Sequence, residues 1–254
     1  MTQDPTAPRR TGRRIGRAAL AALLVVVLIA VVFLAWAHTV MAGDRDAALE
    51  VWTDDAIEVT ETSDSFVLRP TAGGSDHGLV FIPGARVQPF AYARNLAGVV
   101  EDAGVTVVVT KPTLNLAFFD TRSLAAFAAA APEVDSWTVG GHSLGGVRAC
   151  QLAAGDDSVE VTGLVLLGSY CANDLSASAL SVLSVSGTND GLTTPEDVES
   201  NAGLLPQDTE YVVLDGGNHA DFGDYGAQPG DGESTLPRDA VRAEITAALV
   251  GLLG

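Results

Sequence analysis

Trp137-Thr138-Val139-Gly140-Gly141-His142-Ser143-Leu144-Gly145-Gly146 is the stretch on which the reading of this chain turns. A short apolar run, 137–140, leads through glycines into an Ala- and Leu-bearing segment, 144–154, with helical character. Small residues at positions 141 and 145 let the backbone turn sharply from strand to helix, and they leave the Ser143 hydroxyl projecting above the end of the strand. The start of the helix brings unpaired backbone N–H groups and a positive dipole end beside that hydroxyl. A glycine-rich turn with an idle serine is the bland alternative. The strand before the motif and the helix after it favour an activated nucleophile.

Outward from this turn, apolar runs alternate with Ala/Leu-rich helical segments. Runs at 78–82, 105–110, 137–140, 161–167, 181–186 and 211–214 are separated by helical stretches at 89–103, 121–131, 144–154 and 195–204, and a last helix spans 238–252. Continuous Val, Leu and Ile strands between helices imply an α/β fold with a mostly parallel, doubly wound sheet covered by helices on both faces. Segments 56–61 and 65–69 alternate in the manner of an antiparallel hairpin at the sheet edge. We expect one domain over 47–254. Ligands of such sheets bind beyond the carboxyl ends of the strands, so catalytic residues should follow apolar runs.

A serine needs a base, and the chain has four histidines. His38 lies in an N-terminal hydrophobic run, His77 stands at the amino end of its strand, and His142 adjoins the serine but points elsewhere. His219 follows the 211–214 run in the loop Asp215-Gly216-Gly217-Asn218-His219, at a carboxyl edge, and is the expected base. The orienting acid is expected at Asp190, in the turn Gly187-Thr188-Asn189-Asp190-Gly191 after the 181–186 run, with Asp174 as its rival. For an oxyanion hole, Leu144 supplies one backbone N–H, and the loop Ile82-Pro83-Gly84-Ala85-Arg86-Val87 supplies the second, from Ala85 with Arg86 next in line. Lys111, the only lysine, and Asn115 follow a strand and are possible pocket residues. Three Asp within 221–231 lack the ligand spacing of a calcium loop and read as an ordinary polar loop, so no metal is expected.

The N-terminus has a different character. Arg9, Arg10, Arg13, Arg14 and Arg17 precede a charge-free run, 18–40, of the length that crosses a bilayer. This predicts a basic cytoplasmic tail at 1–17, a transmembrane signal anchor at 18–40, a polar linker at 41–46 and an extracytoplasmic body. Secretion after cleavage near Ala37, behind Ala35-Trp36-Ala37, is the alternative; the apolar run is longer than a typical signal-peptide core. Nearly all the acids lie beyond Gly43, so the formal net charge of −18 divides into +4 for the N-terminal piece and −22 for the rest, which disfavours nucleic acid as a partner. Cys150 and Cys171 are open to two readings, a disulfide or two buried thiols.

These residues together resemble the α/β-hydrolase superfamily. The resemblance covers the body from about Asp55 onward. It rests on Phe81-Ile82-Pro83-Gly84-Ala85-Arg86-Val87, on Lys111-Pro112-Thr113-Leu114-Asn115-Leu116-Ala117, on Gly140 to Gly146, and on Gly216 to His219 with Phe222-Gly223-Asp224-Tyr225-Gly226. It implies a triad of Ser143, Asp190 and His219, in agreement with the residue-level choice. Lids in this superfamily are commonly inserted after the strand that here ends near Tyr170, and 171–180 is too short to hold one. The expected activity is that of a cofactor-free, esterase-like serine hydrolase that cleaves a small carboxylic ester, thioester or lactone through a Ser143 acyl-enzyme. The rivals are an extracytoplasmic acyltransferase with the same triad and a catalytically silent tethered scaffold.

Overall fold

A computed structural model describes residues 9–155 and 158–254, in two compact units that divide between Thr39 and Val40. The first unit is helix α1 (Arg9–Ala37). Its Arg13–Ala37 portion reaches a mean hydropathy of 3.2, apolar enough for a membrane span or a signal sequence. The helix stops at Ala37, three residues short of the expected end of the run.

The second unit is built on one eight-stranded sheet: β1 (Ile57–Glu61), β2 (Ser65–Pro70), β3 (His77–Ile82), β4 (Thr106–Thr110), β5 (Ser136–His142), β6 (Glu160–Leu167), β7 (Ser181–Gly187) and β8 (Glu210–Leu214). Their spatial order is β1-β2-β4-β3-β5-β6-β7-β8. β2 runs antiparallel to both of its neighbours, and all pairings from β4 through β8 are parallel. The expected hairpin therefore forms, with β1 at the edge.

Strand residues alternate between two apolar layers. Leu79, Phe81, Val107, Val109, Val165 and Leu167 face one layer, closed by α3 (Ala93–Ala103) and α7 (Arg238–Leu253) through Leu96, Val99, Ile245 and Leu249. Val80, Ile82, Val108, Leu164 and Leu166 face the other, closed by α4 (Leu124–Ala128) and α5 (Leu144–Ala153) through Leu124, Phe127, Ala149 and Leu152. Both faces are dry, so the strands read as unbroken apolar runs.

Two expectations change. Residues 41–46 are bonded along the body and are no free linker. Met41 pairs with Val87, the Gly43 N–H donates to Gln88 Oε1 at 3.0 Å, and the Asp44 N–H donates to the Asp224 carbonyl at 2.6 Å. Asp44 also caps α2 (Arg45–Trp52), accepting from the N–H groups of Asp46 and Ala47. Its Asp-Arg-Asp start looks like a polar connector, yet Val51 is buried and Trp52 packs on Phe66 and Phe90 with centroids 5.4 and 5.2 Å away. The helix expected over 121–131 contracts to α4, because Arg122 turns back to pair with buried Asp120 at 2.5 Å. A further helix, α6 (Pro195–Asn201), forms where expected and carries a Thr194–Asp197 capping box.

The two cysteines are joined as a disulfide, Cα to Cα 5.6 Å, which ties α5 to the segment after β6. That segment, 168–180, contains no helix and no cap domain.

Candidate active site

Ser143 sits at the junction of β5 and α5 with φ 53° and ψ −124°. A non-glycine residue at this φ is strained, at a cost of about 1–3 kcal/mol, and persists only where its surroundings over-determine it. Here the glycines do so: a Cβ on Gly145 would overlap the Ile82 carbonyl oxygen, and one on Gly141 would overlap the Gly145 backbone. The Ser143 N–H donates to the Leu167 carbonyl at 3.0 Å, and the Ser143 carbonyl accepts from Ser169 Oγ at 2.7 Å. The turn is thereby fastened to the end of β6.

His219 opens a 3-10 turn, His219–Phe222, after β8; an Asn218–Asp221 capping box fixes where it begins. Both His219 and Asp190 are buried, and His219 Nδ1 lies 2.8 Å from Asp190 Oδ2. The other Asp190 oxygen accepts from the N–H groups of Leu192 at 2.9 Å and Thr193 at 2.7 Å. An ionised carboxylate only accepts, so it holds the imidazole proton on Nδ1 and leaves Nε2 as the basic nitrogen. Gly168, next to the Leu167 carbonyl that holds Ser143, is close enough that a Cβ there would stand 3.2 Å from Asp190 Oδ2. The ends of β5 and β6 are thus fastened together at Ser143, those of β7 and β8 are joined by the Asp190–His219 bond, and the ring of His142, next to Ser143, stands 4.4 Å from that of His219.

Around the 83–87 loop the donors can be accounted for one by one. The Gly84 N–H donates to the Tyr92 hydroxyl at 2.9 Å, the Arg86 N–H to the Asn115 carbonyl at 2.8 Å, and the Val87 N–H to the Gly84 carbonyl at 3.2 Å. Ala85 is left as the loop's N–H without an acceptor among the described residues, and Arg86, the second choice, is engaged. Leu144 begins α5, where first-turn N–H groups have no intrahelical partner.

The remaining sequence choices separate cleanly. Asp174 is exposed and accepts from the N–H and hydroxyl of Ser176, which holds its carboxyl below the usual range. His77 bonds Ser136 and Thr138 at the opposite end of the sheet; burial lowers its pKa against the opposing charge of Asp76. His38, just past the end of α1, has its Nδ1 2.8 Å from the Leu34 carbonyl of that helix. Lys111 reaches the β1–β2 hairpin instead of the site, bonding Glu61 at 2.5 Å and the Thr62 carbonyl at 2.7 Å. Asn115, by contrast, borders the site through its carbonyl on Arg86.

A sequence profile of the alpha/beta hydrolase family matches residues 78–243, from β3 into α7. The chain belongs to the alpha/beta hydrolase family. Comparison with curated protein sequences returns no match. Among solved structures, an esterase from Pyrococcus furiosus aligns with a TM-score of 0.53 at 12% identity, covering 78% of this chain and 92% of that one. A serine hydrolase homologue from Coxiella burnetii gives 0.53 at 15% identity, covering 80% and 99%. A thermophilic esterase from Thermogutta terrifontis gives 0.52 at 12%, covering 78% and 98%. At these identities the likeness establishes the fold.

Sequence reasoning passed over one buttress in this hydrolase, Asp231. Its Oδ1 accepts from the N–H groups of Gly191 at 3.1 Å, His219 at 3.1 Å and Gly232 at 2.8 Å, and its Oδ2 from Ala220 at 2.9 Å. One carboxylate therefore clamps the loop of Asp190 to the loop of His219. Nothing in the sequence marks it out from the other Asp of 221–231. His142, passed over as the base, is fully buried, with its ring 4.4 Å from that of His219.

Proposed function

We propose that this protein is a serine hydrolase that cleaves a carboxylic ester, thioester or lactone through an acyl-enzyme on Ser143. The observation that carries the reading is the buried 2.8 Å bond from His219 Nδ1 to Asp190, which leaves Nε2 as the basic nitrogen; Ser143, held at φ 53° next to His142, whose ring is 4.4 Å from that of His219, is the nucleophile it would serve. His219 Nε2 takes the Ser143 proton as Oγ attacks the acyl carbonyl. The Leu144 and Ala85 N–H groups receive the negative oxygen that forms. As the tetrahedral species collapses, the carbon–leaving-group bond breaks and His219 returns its proton to the departing oxygen or sulfur. Water, deprotonated by the same imidazole, then releases the acid. Every step uses side chains and backbone of this chain.

A small or peripheral acyl group is favoured by the short, uncapped segment 168–180 and by exposed Phe118, Phe119 and Leu192 in the loops that follow β4 and β7. We further propose that α1 is an uncleaved signal anchor with residues 1–17 in the cytoplasm and the body outside, on the strength of its hydropathy and the arginines before it. The mass of the mature chain tests the anchor: retention of residues 1–37 supports it, and their loss replaces it with secretion.

The activity is tested by treating the full chain in detergent with a fluorophosphonate probe and mapping the adduct. Labelling at Ser143 that disappears in Ser143→Ala and His219→Ala is expected. Absence of labelling in the folded wild type would move a tethered, non-catalytic protein to first place.

A further inference from the structure

Behind the 83–87 loop lies a polar chain that the acyl-transfer steps do not use. Tyr92, in the 3-10 turn Pro89–Tyr92, and His142, at the end of β5, are both fully buried. The Tyr92 oxygen is 2.9 Å from the Gly84 nitrogen and 2.8 Å from His142 Nδ1. A backbone N–H can only donate, so the tyrosine oxygen accepts from Gly84; the buried hydroxyl proton needs an acceptor in turn, and Nδ1 of His142 is the one within reach, which assigns that bond as Tyr92 to His142. The imidazole is then neutral, with its own proton on Nε2. Burial, with His219 as the second cause, holds His142 well below the ordinary imidazole range, and the nearby His219 backbone opposes the shift without reaching hydrogen-bond geometry.

Contact is tight throughout. A Cβ on Gly84 would stand 2.7 Å from His142 Nδ1 and 3.1 Å from the Tyr92 oxygen, so the loop backbone rests directly on the pair. Nε2 of His142 has no partner among the described residues. What the imidazole does supply is an acceptor at Nδ1, on the residue immediately before the nucleophile.

We propose that Tyr92 and His142 are positioning residues: their hydrogen-bonded chain pins Gly84 to the nucleophile turn and so holds the Ala85 N–H in register with Ser143. The inference rests on the acyl-transfer reading above. Neither side chain touches substrate. The pair acts through the loop, whose other end is pinned by the bond from Arg86 to Asn115. A displacement of the oxyanion donor by about an ångström slows the chemical step about 100-fold while leaving substrate binding largely intact.

The test uses the full chain in detergent and two readouts, the second-order rate of fluorophosphonate labelling and the hydrolysis of p-nitrophenyl acetate. Tyr92→Phe keeps the ring and removes the hydroxyl. Labelling and kcat are expected to fall about 10- to 100-fold, with KM within about three-fold of wild type. His142→Phe, which fills the space without an acceptor, should match it. His142→Asn, whose Oδ1 can take the tyrosine proton, should recover most of the rate lost in His142→Phe. Near-ultraviolet circular dichroism checks that each variant is folded; if Tyr92→Phe is not, the contrast between Asn and Phe at position 142 carries the test. Wild-type rates in Tyr92→Phe, or equal losses in the two His142 variants, would overturn the positioning role alone. A wild type that neither labels nor hydrolyses would overturn the acyl-transfer reading and this inference with it.

Discussion

Asp190 uses both of its carboxylate oxygens, one on His219 and one on two backbone N–H groups, and the division sets what a substitution there should do. Asp190→Asn can keep the backbone bonds with its amide oxygen, which turns the amide NH2 toward the imidazole. His219 must then accept at Nδ1 and carry its proton on Nε2, the nitrogen that should receive the serine proton. We expect kcat to fall about 10³- to 10⁴-fold with little change in melting temperature. Asp231 presents the opposite balance, because it touches the base only through backbone. Asp231→Ala removes the acceptor for four N–H groups at once. Loss of charged hydrogen bonds of this kind costs about 2–3 kcal/mol, or about 5–10 °C in a chain of this size, together with a loss of rate as the two loops part. A melting curve and a hydrolysis assay on the same preparation distinguish the two residues: Asp190→Asn should be slow and stable, Asp231→Ala both slower and less stable.

At the scale of elements, the strand–turn–helix around Ser143 is held by its neighbours and not by local propensity. Gly145→Ala would drive a methyl into the Ile82 carbonyl, so we expect no soluble folded protein from it, whereas Gly203→Ala, where nothing lies within 4 Å, should express normally. The disulfide closes a loop of sequence separation 21 and fixes α5 against the segment after β6. Opening it with Cys150→Ala and Cys171→Ala together should cost about 3 kcal/mol, read as a lower denaturant midpoint. The same elements explain what could be read in advance. Strands dry on both faces announce themselves as Val/Leu runs, and a serine between closely spaced glycines after such a run marks a sharp turn; hence the sheet, most of the helices and the pairing of Asp190 with His219 were legible. α2 was not, because its helical signal is an N-cap followed by charges, and its apolar side is recognisable only once Phe66 and Phe90 are placed beside Trp52. Tyr92, His142 and Asp231 escaped for a related reason: Asp231 acts through hydrogen bonds to the backbone of Gly191 and His219, Tyr92 through one to the Gly84 backbone and His142 through one to the Tyr92 hydroxyl, contacts that no local pattern encodes.

For the molecule as a whole, buried neutral histidine couples the site to acid stability. Folding holds the His142 imidazole well below its ordinary value of 6.5, chiefly through burial. The unfolded chain therefore takes up this proton first as pH falls. Stability from keeping the ring neutral is complete above about pH 6.5 and declines as the pH drops from there toward the depressed folded value, by at most about 1.4 kcal/mol per pH unit. Carboxylates that hydrogen bonds hold below their usual range, such as Asp197 with the Thr194 hydroxyl, add their own losses at lower pH, so the wild-type curve alone does not isolate the histidine. The difference between wild type and His142→Asn does, because Asn keeps the acceptor for Tyr92 and does not titrate. Denaturant midpoints measured from pH 8 to pH 5 should fall more steeply for wild type than for the variant, with the two curves parting below about pH 6.5. Parallel curves would mean that the ring gains its proton as readily folded as unfolded, and the neutral Tyr92–His142 chain behind the oxyanion loop would have to be abandoned.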